Sequence, residues 1–133
     1  MIRGTDLDGV MTFRGLSNFN NSKLPWVCGL WLIFVPPNKR MIKLLRKWKE
    51  KEDEIIIISS RPKKLEGLTK WWLKRYQIPY DYLFLVDKGD GFEQRKLEII
   101  QKTGILLFVD DNPRIVSFLR KFGVKAKFPE EVF

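Results

Sequence analysis

Asp6 and Asp8 stand two residues apart in the run Asp6-Leu7-Asp8-Gly9-Val10. On an extended backbone that spacing turns both carboxylates to one side, and the glycine lets the chain bend away at once. Far along the chain, Ser59-Ser60-Arg61 offers hydroxyls and backbone N–H groups where a helix should begin, a ready cradle for phosphate. Lys88 and Lys96 supply cations, and Asp110-Asp111 adds two more carboxylates. Brought together, four carboxylates repel one another and call for a cation. With no histidine in the chain and one cysteine, Cys28, an all-oxygen donor set selects Mg2+ over zinc or copper. Such a set can run phosphoryl chemistry. One aspartate attacks phosphorus to give an aspartyl-phosphate, which splits one hard displacement into two easier ones. The carboxylate two residues on protonates the leaving oxygen and later deprotonates the attacking water.

This chemistry requires elements that bring the groups to one place. Residues 2–8 are expected as a first strand, although Arg3, Gly4 and Thr5 interrupt its apolar pattern. Residues 10–37 read as a loop or hairpin excursion, too short for a folded cap. Beyond it, Met41, Leu44, Leu45 and Trp48 recur at helical spacing over 39–51, with Asn38 as the cap. The isoleucine run in 54–59 reads as a buried parallel strand. A helix over 63–76, a strand over 82–86, a helix over 92–103 and a strand over 105–109 follow. Pro113 opens a helix to about 122, and a short strand over 124–128 closes the series. Strands alternating with helices predict one α/β domain over 1–133, a single doubly wound, mainly parallel, Rossmann-like sheet with helices on both faces. Ligands bind such sheets at the carboxyl ends of the strands. Every chemically capable residue named above follows a strand.

Composition narrows the classes further. The absence of histidine excludes histidine-based triads, and one cysteine excludes an internal disulfide, which fits a cytoplasmic protein. The net charge of +9 favours an anionic partner: a phosphorylated small molecule, a nucleotide or nucleic acid. The apolar run 24–35 is shorter than the roughly 20 residues a bilayer span needs, so no membrane role is expected. It is instead a candidate surface for self-association. Within it, Trp26 and Trp31 are candidate substrate contacts or packing residues, while Trp72 at helical spacing belongs to the core.

The four motifs, in this order and each at a strand end, resemble those of the haloacid dehalogenase-like superfamily, across nearly the whole chain. The resemblance implies Asp6 as nucleophile and Asp8 as general acid/base, with the Asp8 backbone carbonyl among the metal ligands. It implies Ser59, with Ser60, as the phosphate-binding hydroxyl site. Lys96 is the best match to the family's lysine, and Lys88 competes for that place. Asp6, Asp8, Asp110 and Asp111 would together hold Mg2+, and Arg61 and Lys88 join Trp26 and Trp31 as possible substrate contacts. A third acid three to five residues beyond Asp111, which several branches of the family have, is missing here. A short excursion matches the capless phosphatases of the superfamily. The expectation is therefore a Mg2+-dependent phosphatase of phosphomonoesters or nucleotides. A phosphatase of nucleic-acid ends and a non-catalytic basic nucleic-acid-binding module remain the alternatives. A phospho-acceptor domain of the response-regulator type has its acids in a different order, and Asp8 favours phosphoryl transfer over dehalogenation.

Overall fold

The structure, a computed structural model, describes residues 1–12 and 35–133. Most of the expected excursion, including Trp26, Trp31 and nearly all of the 24–35 run, lies outside the described residues. The elements in chain order are β1 (Ile2–Thr5), α1 (Lys39–Glu50), β2 (Glu54–Ser59), α2 (Glu66–Arg75), β3 (Tyr82–Leu85), α3 (Phe92–Thr103), β4 (Leu107–Val109), α4 (Pro113–Lys121) and β5 (Ala126–Lys127). Single 3-10 turns precede α2, at Lys63–Leu65, and follow β5, at Pro129–Glu131.

All four strand pairings are parallel, in the order β3-β2-β1-β4-β5. The chain builds outward from β1 to β3, then crosses to the other side of β1 for β4 and β5. The switch in direction therefore falls between β1 and β4. There the crossovers leave in opposite directions and open a crevice at the carboxyl ends of the two strands.

Strand β2 shows how sequence becomes two layers. Ile55 and Ile57 face one hydrophobic cluster with Met41, Leu45 and Trp48 of α1 and Trp72 and Leu73 of α2. Ile56 and Ile58 face the opposite cluster with Leu97 and Ile100 of α3 and Ile115, Val116 and Leu119 of α4. Alternation along a strand buried on both sides accounts for an unbroken isoleucine run. Truncating Ile57 to alanine would remove about 2–5 kcal/mol from the α1/α2 layer. Helix α1 is capped by the Asn38 side chain, which accepts from the Arg40 and Met41 N–H groups at 3.1 and 3.3 Å. Asn112 caps α4 in the same way, with Pro113 in the first turn. Trp72 is buried, its indole N–H donating to the Val35 carbonyl at 2.9 Å, as a core residue should.

Strand β1 is shorter than the expected 2–8. It ends at Thr5, so Asp6 and Asp8 lie in the turn beyond it and strand alternation does not orient them. Its weak apolar pattern has physical causes. A Cβ on Gly4 would come within 2.8 Å of Phe108 and 2.9 Å of Ile105, so the bulk on that face comes from neighbouring residues. Arg3 is compensated by Asp53 at 2.9 Å and lies over the Trp48 ring at 4.9 Å. The fourth strand begins at Leu107 rather than 105, and the fifth is reduced to two residues.

Candidate active site

Asp6 is the first residue past β1 and Asp110 the first past β4, the two strands at the switch. The Asp6 N–H donates to the Val109 carbonyl at 2.8 Å, which stitches the two strand ends together. Beyond Asp6 the chain folds into a tight turn, with the Val10 and Met11 N–H groups both directed at the Leu7 carbonyl. Gly9 has φ +84°, and a Cβ there would fall inside the Asp111 carboxylate. The expected need for glycine is thus doubled: the turn demands a left-handed conformation, and Asp111 occupies the space. The Gly9 N–H donates to the Thr12 hydroxyl at 2.9 Å.

One carboxylate oxygen from each of Asp6, Asp110 and Asp111 lies within 4.8 Å of the others. That span suits a single hard cation with metal–oxygen distances of about 2.0–2.6 Å, and the donors are all oxygen. The residues present therefore fit Mg2+. The Asp8 carboxylate is not in this group. Both its oxygens are taken by Arg61, Nη2 at 2.6 Å and Nε at 2.9 Å, a buried bidentate pair.

Lys96, on α3, reaches the cluster from below. It is 2% exposed, with Nζ 3.1 Å from Asp110 Oδ2 and 3.4 Å from Asp6 Oδ1. Burial works against its charge, but Asp110 and Asp6 outweigh that and hold Lys96 above its ordinary pKa. Burial pushes the Asp6 carboxyl well above the usual range; Lys96 pulls it back, while Asp110, Asp111 and Asp8 push it further. The pocket is short of positive charge, which is the condition a bound cation relieves.

Ser59 is fully buried, and its hydroxyl accepts from the Arg61 N–H at 3.1 Å; Ser60, next in the chain, is buried as well. Lys88 is half-buried in the loop after β3. Burial lowers its pKa, opposed by Asp6, with Lys96, Asp110 and Asp111 also acting on it. The two candidate lysines thus meet the same cluster at different depths, with Lys96 ion-paired to Asp6. Arg61, expected among substrate contacts, turns inward instead. Its side chain is 1% exposed and spends its donors on Asp8 and on Thr69 Oγ1, the latter at 3.1 Å. Trp26 and Trp31 lie outside the described residues.

Three contributors were missed in the sequence. Thr69 sits on α2, eight residues past Arg61, and nothing in its local pattern marks it. Asn112 had a signal, since it precedes Pro113: its backbone N–H donates to Asp110 Oδ1 at 3.0 Å while its side chain caps α4. Arg95 donates to the carbonyls of Val86, Asp87 and Asp90 and so fixes the loop that carries Lys88.

No family model matches the chain. A curated relative, named Putative nucleotidase BH1399 from Halalkalibacterium halodurans, is 35% identical over 83 residues, 62% of this chain. The chain spans 40% of that relative's length. Among solved structures, a chain of the Pnkp1/Rnl/Hen1 RNA repair complex matches with a TM-score of 0.75 at 20% identity, covering 96% of this chain and 42% of that one. The D,D-heptose 1.7-bisphosphate phosphatase of B. bronchiseptica, complexed with magnesium and phosphate, matches at 0.69 with 11% identity over 98% of this chain and 84% of that one. The HAD domain of the effector Lem4 from Legionella pneumophila matches at 0.58 with 16% identity, over 96% and 83%. The match covers nearly the whole chain in each case, and the protein shares the fold of these phosphatase and HAD-domain structures.

Proposed function

We propose that the protein is a Mg2+-dependent phosphohydrolase of phosphomonoesters or nucleotides that works through an aspartyl-phosphate on Asp6. The observation that carries this reading is the convergence of Asp6, Asp110 and Asp111 within 4.8 Å at the switch point, with Lys96 bridging Asp6 and Asp110. The nucleotidase name of the curated relative and the magnesium and phosphate of the heptose bisphosphatase support it.

In this reading Asp6, Asp110 and Asp111 would hold Mg2+, which would supply positive charge against the carboxylates and the transferring phosphoryl group. An Asp6 carboxylate oxygen attacks phosphorus, and the bond from phosphorus to the ester oxygen breaks. Lys96 holds Asp6 in place and offsets charge on the phosphoryl oxygens, with Ser59 and Ser60 lining the same wall. Asp8 protonates the departing oxygen, then takes a proton from the water that cleaves the acyl-phosphate and regenerates Asp6. Arg61 grips Asp8 by both oxygens, so Asp8 must release one of them to face the leaving group. Arg61 is therefore a positioning residue, and Thr69 positions Arg61 in turn. Lys88, less buried than Lys96, meets the substrate phosphate first in this reading.

A phosphate-release screen over sugar phosphates, nucleotides and end-phosphorylated oligonucleotides, with and without Mg2+, tests the reading. Release is expected only with metal and not from Asp6→Asn; undiminished release by that variant would remove the assignment.

A further inference from the structure

Helix α1 leaves the catalytic rim and runs back along the flank of the sheet. Its cap residue is fastened to the catalytic turn: Asn38 donates its backbone N–H to the Met11 carbonyl at 2.7 Å and its side-chain amide to the Val10 carbonyl at 3.1 Å. From there Lys39, Arg40, Lys43, Arg46 and Lys47 line the exposed side, while Met41, Ile42, Leu45 and Trp48 face the core. Within the described residues none of these five cations forms an ion pair. Some of the other cations are neutralised. Lys49 is matched by Asp81, Arg120 by Glu131, Arg114 by Glu93 and Lys70 by Glu66. The helix is about 18 Å long, with cations at three- and four-residue spacing.

Two clefts join this face to the catalytic turn. One, of about 270 Å³, is lined by Gly9, Thr12, Asn38, Pro129, Glu130 and Phe133, among others. The second, of about 220 Å³, is lined by Arg40, Lys43, Leu44, Lys47 and Phe133. Phe133 belongs to both, and the Arg40 guanidinium lies over its ring at 4.6 Å. The path therefore begins at Gly9, which packs on Asp111, passes a stacked arginine–aromatic pair, and ends among cations. Glu130 contributes one carboxylate at the junction, before the basic row begins.

We infer that this path is a track for single-stranded nucleic acid, which follows α1 while its terminal phosphate sits at Asp6. The inference rests on the phosphohydrolase reading and names its substrate class. A row of unneutralised cations suits a repeating phosphate backbone, and an aromatic face beside it suits an unstacked base. Small phosphomonoesters need neither, since Lys96 and Lys88 already serve the reacting phosphate. A row that continues away from the site is useful only to a substrate that continues as well.

The test uses fluorescent oligouridylate and oligothymidylate of about twelve nucleotides, phosphorylated at the 5′ or the 3′ end, beside the matching mononucleotides. The wild type is expected to bind the oligonucleotides in anisotropy titrations with steep salt dependence. Lys43→Glu with Lys47→Glu should cut the slope of log K against log salt by about 2. The same variant should raise KM for oligonucleotide dephosphorylation at least tenfold or so, with kcat/KM for the mononucleotide unchanged. Equal losses on both substrates, an unaltered oligonucleotide KM, or displacement of the probe by polyglutamate as readily as by oligonucleotide would overturn the track. If the wild type releases phosphate from nothing, the activity reading fails, and anisotropy alone decides. Salt-sensitive binding lost in the variant then upholds the nucleic-acid surface, and no binding by the wild type refutes it.

Discussion

Replacing Lys96 by methionine removes one charge and keeps most of the side chain's length, so the loss is largely electrostatic. In the metal-free protein Asp6 and Asp110 then face each other buried, without the ammonium that lies 3.4 and 3.1 Å from them. At an effective dielectric of about 20 each contact corresponds to about 5 kcal/mol of attraction, before desolvation of the lysine is set against it. Removing one partner of a buried ion pair costs about 3–5 kcal/mol net, because the remaining charges stay buried. Protonation of Asp6, whose carboxyl already sits high, limits the loss to the lower part of that range. Urea denaturation without metal should therefore show a midpoint lower by roughly 1–2 M, with unchanged slope. Mg2+ binding responds in the opposite direction. With the competing ammonium gone, the three carboxylates should hold the ion more tightly in calorimetry, and saturating Mg2+ should recover part of the lost stability. Phosphate release should still fall steeply, since the ammonium that holds Asp6 in place is gone. A variant as stable as wild type, with unaltered Mg2+ affinity, would refute the reasoning.

Gly9→Ala places a methyl group in the space of the Asp111 carboxylate on a left-handed backbone, for a strain of about 1–3 kcal/mol; calorimetry should show weakened Mg2+ binding by a folded protein. Thr69→Val leaves one Arg61 N–H without its acceptor, and chemical denaturation should show a loss of about 1–3 kcal/mol. If Thr69 acts through Arg61 and Asp8, the pH profile of kcat should shift in that variant, which a purely structural role would not produce. The Phe128 N–H, and then Arg120, hold Glu131 below its ordinary value of 4.5. Its contribution to stability is present above the unfolded pKa and fades as pH falls through the folded one. Carbon-detected NMR should place the Glu131 midpoint below 4.5 in the wild type, and Arg120→Gln should raise it only partly, since the backbone donor remains.

The elements most legible in the sequence were those whose pattern serves a single purpose. The isoleucines of β2 and the helix at Phe92–Thr103 match their expected bounds because a continuous apolar run marks the one and apolar spacing with a glycine stop marks the other. Strand β1 was obscured because it is central yet carries Gly4 and Arg3, one yielding space to Phe108 and the other answering to Asp53. The carboxylates at the strand ends could be read because the proposed chemistry calls for those residue types, and the topology brings Asp6, Asp110 and Asp111 together at the β1/β4 switch. The orientation of Arg61 could not be read in advance. Its neighbours in sequence suggest a phosphate cradle, while the fold pairs its guanidinium with Asp8 and with Thr69 of another element. The basic face of α1 was visible only as net charge, because which cations lack partners is a property of the folded surface.

The covalent step offers the most direct test. During turnover of a nucleotide substrate with Mg2+, rapid quenching and borohydride reduction should convert an acyl-phosphate on Asp6 to homoserine, and peptide mapping by mass spectrometry should find that change at residue 6 alone. Phosphate release without any such product, or with the reduced residue at Asp8, Asp110 or Asp111, would contradict Asp6 as the nucleophile.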